Sequence, residues 1–83
     1  MRVIIYPDVT EKSMRLIETE NKLVFVVARE SNKAQIKTEV EKLYAVKVST
    51  INTLITPKGL KKAYVELSPE FKAEEIATRI GIF

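Results

Sequence analysis

Cysteine, histidine and tryptophan are all missing from this 83-residue chain, and it holds only two glycines and three prolines. Without cysteine there is no disulfide framework and no thiolate metal site. Without histidine the commonest general base is gone, and with it nearly all zinc sites. Gly59 and Gly81 stand too far apart to build a phosphate-cradling loop. Acids do pair, Glu39 with Glu41 and Glu74 with Glu75, yet such neighbours diverge on a helix and read as solvated faces. Ser13, Ser31, Ser49 and Ser68 have no candidate base in sequence reach. An enzyme is not expected, nor is a cofactor or a metal.

Long apolar runs are missing too. None approaches the roughly 20 residues of a membrane span, and the apolar run in MRVIIYPDVTEKS is too short for a signal peptide. The chain reads as cytoplasmic. Its length sets an expectation of one domain over residues 1–83. Such a domain buries about 60 per cent of its unfolded surface, enough for one modest core but not a deep cleft. A composition of 46% hydrophobic and 30% charged residues argues against disorder.

What is present is unevenly distributed charge. Residues 1–41 carry seven basic and seven acidic side chains, and residues 66–83 carry two basic and four acidic. Between them lie five lysines (Lys42, Lys47, Lys58, Lys61 and Lys62) and no acid. Positive charge confined to one segment points to a polyanion, although a solvated lysine-rich hairpin has the same composition.

Hydrophobic patterning supplies the elements. Val3-Ile4-Ile5-Tyr6 is a short β-prone run stopped by Pro7. Asp8 or Thr10 caps a helix through Met14, Leu16 and Ile17 that ends near Glu20-Asn21. Residues 23–28 are continuously apolar, as in a central strand buried on both faces. Asn32 and Gln35 have capping-box spacing, and Ile36, Val40, Leu43 and Tyr44 follow as one helical stripe. Residues 46–55 form a β-branched stretch whose alternation slips by Ile51, which calls for a bulge or edge twist. A turn with Pro57 and Gly59 leads to the cleanly alternating Ala63-Tyr64-Val65-Glu66-Leu67. Ser68-Pro69 opens a last helix with its stripe at Ala73, Ile76, Ala77 and Ile80, ended by Gly81. The order β-α-β-α-β-β-α implies an α+β fold, with helices packed on a small, mostly antiparallel sheet.

Nucleic-acid binding requires cations that meet phosphates and polar groups that fix the register. Lys58, Lys61 and Lys62 supply cations at the loop, with Asn52, Thr53 and Thr56 at its base. Lys12 and Ser13 form a second set, and Lys33 and Lys37, one helical turn apart, a third. Lys33 stands in a first helical turn, where the dipole disfavours a cation. Tyr6, Phe25, Tyr44, Tyr64, Phe71 and Phe83 are scattered, and Tyr64 is the one expected on an exposed sheet face. Recognition of folded RNA through phosphates and shape therefore fits better than base reading.

The series Pro7-Asp8-Val9-Thr10-Glu11-Lys12-Ser13, Asn21-Lys22-Leu23-Val24-Phe25-Val26-Val27, Asn32-Lys33-Ala34-Gln35-Ile36-Lys37, Val46-Lys47-Val48 and Ile51-Asn52-Thr53-Leu54 resembles the large-subunit ribosomal protein L23 family. The closing Lys61-Lys62-Ala63-Tyr64-Val65-Glu66-Leu67-Ser68, with Ile76 beyond it, is similar to that family's signature. Glu66 departs from it, since a basic residue or threonine is usual there. The resemblance implies a structural protein of the large ribosomal subunit. It would bind large-subunit rRNA near the polypeptide exit tunnel, beside ribosomal protein L29. It also implies a docking surface for nascent-chain factors such as the signal recognition particle. Glu18 falls at the family's docking glutamate, with Arg15 and Glu20 as neighbours on that surface. Bacterial members extend the loop into a long hairpin, whereas about six residues separate Ile55 from Lys62 here, as in an archaeal-type short form. Such a protein is expected to be a monomer in isolation, with a mobile 56–62 loop. The competing reading is a small α+β regulatory or protein-interaction module that dimerises through a sheet edge or binds an anion at the loop.

Overall fold

A strand that is apolar at every position needs neighbours on both sides and cover on both faces. Residues 23–27 are all buried. In the computed structural model, which describes residues 2–82, they lie in β2 (Lys22–Val27), between β1 (Ile4–Pro7) and β4 (Lys61–Leu67). The strand β3 (Val48–Ile55) flanks β4, giving the order β1-β2-β4-β3 with every neighbouring pair antiparallel. The helix α1 (Glu11–Glu20) joins β1 to β2, α2 (Lys33–Tyr44) joins β2 to β3, and α3 (Ala73–Arg79) follows β4. With β4 inserted between β2 and β3, the β2–α2–β3 segment is a split β-α-β unit. This is the expected α+β class and element order.

Alternation sorts the sheet into two faces. Leu23, Phe25 and Val27 of β2 and Ala63, Val65 and Leu67 of β4 join Ile17 of α1, Ile36 and Val40 of α2, and Ile76 and Ala77 of α3 in one core. Phe25 is fully buried and stacks on Tyr44, with ring centroids 5.8 Å apart and planes 11° from parallel. Burying such a side chain contributes on the order of 2 to 3 kcal/mol. The opposite face bears Tyr6, Val26, Lys62, Leu54, Val24, Tyr64 and Asn52, grouped by cross-strand pairing.

Two strand irregularities decide that grouping. In β1 the register shifts between Ile4 and Tyr6, so Ile4 pairs with Val27 on the helix side but Tyr6 pairs with Val26 on the open side. In β3 the shift lies between Val48 and Thr50, slightly ahead of the Ile51 position expected from the pattern. It lets both Val48 and Ile51 reach the core. At that irregularity the Val48 N–H donates to Glu41 Oε2 at 2.9 Å. Glu41 therefore ties α2 to β3 and does not belong to a solvated acidic face.

The helix ends follow local capping chemistry. Thr10 and Ser13 form a reciprocal capping box on α1, and Asn32 and Gln35 form one on α2. Three expectations are corrected. Leu43 is 54% exposed and leaves the α2 stripe. Ser68-Pro69 does not open α3: the Phe71 N–H donates to Ser68 O in a turn, and the helix begins at Ala73. Tyr64 is half-buried, whereas Tyr6 is 48% exposed. Phe83 lies outside the described residues.

Ala45 ends α2 at φ 55°, ψ 48°, a left-handed conformation in which a Cβ is strained. Ala45→Gly is expected to stabilise the protein by about 0.5–1 kcal/mol, read as a shifted denaturant midpoint at constant slope. An unchanged or lower midpoint would show that unfolded-state entropy outweighs the relieved strain.

Candidate nucleic-acid interface

The turn between β3 and β4 is closed by its own hydrogen bonds. The Thr56 N–H donates to Leu60 O at 2.8 Å, the Gly59 N–H to Thr56 O at 2.9 Å, and the Leu60 N–H to Thr56 Oγ1 at 3.1 Å. Gly59 takes φ 84°, open to glycine at no steric cost. Lys58 stands exposed at the tip. Lys61 and Lys62 are consecutive strand residues and so diverge. Lys61 turns to the helix side, where its ammonium donates to the carbonyl of Ser31. Lys62 lies on the open face, 3.2 Å from Asp8 Oδ2.

Asp8 organises this end of the open face. A small cleft of about 50 Å³ brings Asp8 together with Lys12, Lys62 and Tyr64, and a wider hollow of about 390 Å³ brings it together with Lys58, Lys62 and Tyr6. Lys12, Lys58 and Lys62, drawn from two of the three sequence sets, thus border hollows that Asp8 also lines, and Lys62 alone pairs with its carboxylate. Ser13 is buried beside them. Its hydroxyl accepts from the Thr10 N–H at 2.8 Å and donates to Asp8 O at 2.8 Å, so it holds the base of α1 in place. Asn52 is exposed and pairs with Tyr64 on the open face, while the half-buried Thr53 pairs with Ala63 on the helix side. Lys33 and Lys37 are elsewhere. They border a hollow of about 170 Å³ against the β3 edge, with Ser49 and Thr50.

The acidic surface around Glu18 is separate. Glu18 and Glu20 line a hollow of about 590 Å³ whose other walls include Glu66, Phe71, Lys72 and Glu74. Glu20 accepts from Lys22 Nζ at 2.9 Å, and this hydrogen bond holds the ammonium above its usual pKa. Arg15 lies outside the hollow's lining and pairs with Glu11 at 3.6 Å on an exposed helix flank. Asn21 fixes the hollow's shape. It ends α1 at φ 56°, ψ 39°, and its carboxamide donates to Phe71 O at 2.8 Å and accepts from the Ala73 N–H at 2.7 Å. The Ala73 bond caps α3 from another part of the chain, since Lys72 supplies no side-chain cap. The sequence signal for this was an asparagine at a helix end, a residue that tolerates the left-handed region.

A split β-α-β sheet with helices on one side, and lysines gathered around one end of the other, defines a small α+β protein that presents surfaces. Among the described residues no cluster of side chains could hold a metal ion. Residues 2–60 match the family model described as Ribosomal protein L23, and the chain belongs to that family. It is 51% identical over 81 residues to the large ribosomal subunit protein uL23 of Methanothermobacter thermautotrophicus. It is 49% identical over 81 residues to the large ribosomal subunit protein uL23 of Methanococcus aeolicus. Each alignment covers 98% of this chain and 94% of the relative, so the chain shares the short archaeal form along nearly its whole length.

Proposed function

We propose that the chain is a single-domain, non-catalytic constituent of the large subunit of cytoplasmic ribosomes and binds large-subunit rRNA near the polypeptide exit. The observation that carries the RNA contact is the convergence of Lys12, Lys58 and Lys62 on one end of the open sheet face. Family membership and the similarity to large-subunit proteins uL23 supply the setting. The mechanism is electrostatic: lysines displace counterions from phosphates, and exposed polar groups such as Asn52 fix the register. Lys33 and Lys37 offer a second phosphate contact at the β3 edge. The closed turn over residues 56–60 leaves little length to line a tunnel wall. The test is co-sedimentation with large subunits after a high-salt wash, together with salt-dependent binding to a large-subunit rRNA transcript. Binding that ignored salt, or a chain absent from washed subunits, would overturn the reading.

The Glu18 hollow is the proposed docking surface for nascent-chain factors such as the signal recognition particle, with ribosomal protein L29 as a neighbour in the subunit. Among the described residues Glu18 forms no ion pair, so its carboxylate is available to a cationic partner. Glu18→Ala is expected to leave incorporation into subunits intact and to weaken signal recognition particle binding roughly tenfold, since an interfacial charge loses its mate. Arg15→Ala should matter less, because Arg15 is not among the residues lining the hollow and pairs with Glu11. Failure of the Glu18 variant to assemble would reassign the residue to an rRNA or ribosomal-protein contact.

A further inference from the structure

Apolar surface is exposed where charge is most concentrated. Tyr6 and Leu60 are 48% and 40% exposed. Both line the hollow of about 390 Å³, together with Val26 and Pro57. Lys58 and Lys62 border the same hollow, and so does Asp8. Its volume falls in the range of roughly 300–1,000 Å³ that small-ligand sites occupy. Neither a purely phosphate-binding surface nor a purely apolar protein contact accounts for that mixture. A phosphate contact uses no more of a tyrosine than its hydroxyl, and an apolar side chain leaves Lys58 without counter-charge, since Asp8 pairs with Lys62.

We infer that this hollow takes one unpaired nucleotide of the bound RNA, its base stacked on Tyr6 and its phosphates between Lys58 and Lys62. The inference rests on the RNA-binding reading above and adds a base contact to what was otherwise phosphate recognition. Every base offers a π-face to an aromatic ring, so the stack itself is tolerant of sequence. Asp8 adds selectivity. One carboxylate oxygen is held by Lys62 at 3.2 Å. The other is the acceptor the hollow offers to an exocyclic amine, which adenine, cytosine and guanine carry and uracil lacks. The register shift in β1 makes the site possible, because unbroken alternation from Ile4 would place Tyr6 on the helix side.

The test uses the full chain, a large-subunit rRNA transcript as probe, and affinities measured at several salt concentrations. Tyr6→Ala is expected to weaken binding on the order of tenfold, the effect of losing one base–aromatic stack, with no change in salt slope because no charge is lost. Tyr6→Leu should bind almost as weakly, and Tyr6→Phe should bind like the unsubstituted protein. Tyr6 lies half-exposed on an edge strand, and unfolding midpoints verify that each variant folds. Unchanged affinity for Tyr6→Ala, or full affinity for Tyr6→Leu, overturns the inference and leaves the RNA-binding reading standing. If Tyr6→Ala spares RNA affinity but loosens a neighbouring protein in salt-washed subunits, the hollow takes a protein side chain and the inference also falls. If the unsubstituted chain fails to bind the transcript, both readings fall together.

Discussion

Asn21→Ala is expected to destabilise the protein by about 3 kcal/mol, a fall in Tm of roughly 15 °C for a domain of this size. Two costs add. Alanine at φ 56° meets the left-handed penalty that asparagine tolerates, about 1 kcal/mol. The lost carboxamide also leaves Phe71 O and the Ala73 N–H without partners in a half-buried place, at on the order of 1 kcal/mol or more each. The effect is large because one side chain does three jobs: it suits the left-handed end of α1, starts α3 and braces the end of β4, where its carboxamide N–H donates to Leu67 O at 3.3 Å. Asn21→Gly separates the terms. It removes the strain but not the lost bonds, so it should recover only about the first kilocalorie. If glycine restored full stability, the carboxamide bonds would contribute nothing net. Both variants are expected to weaken the proposed docking at Glu18 as well, since the carboxamide that links α1 to the start of α3 beside the hollow would be gone.

The elements themselves were legible in the sequence because local chemistry and tertiary packing agree on them. Asn32 and Gln35 cap α2 as their spacing implies, residues 23–27 form the buried central strand, and Gly81 at φ 84° follows the last helix. Failures occurred where a distant group took over a local task. Ser68-Pro69 looks like a helix start, yet the α3 cap comes from Asn21, 52 residues away along the chain. Glu41 looks solvated, yet it bonds the β3 backbone at the strand irregularity. Tyr6 was hidden for a related reason. Period-two alternation from Ile4 sends it inward, and only the register of β1 against β2 shows that it emerges on the open face. The lysine sets were visible as residue types, but their convergence was not. Asp8, which pairs with Lys62 and lines hollows with Lys12 and Lys58, reads in the sequence as a candidate helix cap.

That convergence gives different roles to lysines that are adjacent in sequence. Replacing Lys58, Lys61 and Lys62 together by alanine is expected to weaken rRNA-transcript binding tenfold or more and to flatten its salt dependence. The flattening should be about two units of slope, not three, at about one unit per phosphate-contacting lysine. Lys61 is the exception, because it lies on the helix side of β4, where its ammonium donates to the Ser31 carbonyl, away from the open face that carries Lys58 and Lys62. Lys61→Ala should accordingly leave the slope unchanged and lower stability by about 1 kcal/mol through the lost hydrogen bond. The Lys58/Lys62 double variant should then match the triple variant in slope. Lys62→Ala should cost more affinity than Lys58→Ala, since it also leaves the Asp8 carboxylate without its 3.2 Å partner, facing an incoming phosphate. A slope that falls by three units, with Lys61→Ala alone accounting for one, would show that Lys61 leaves Ser31 for the RNA and that the helix side of β4 belongs to the interface.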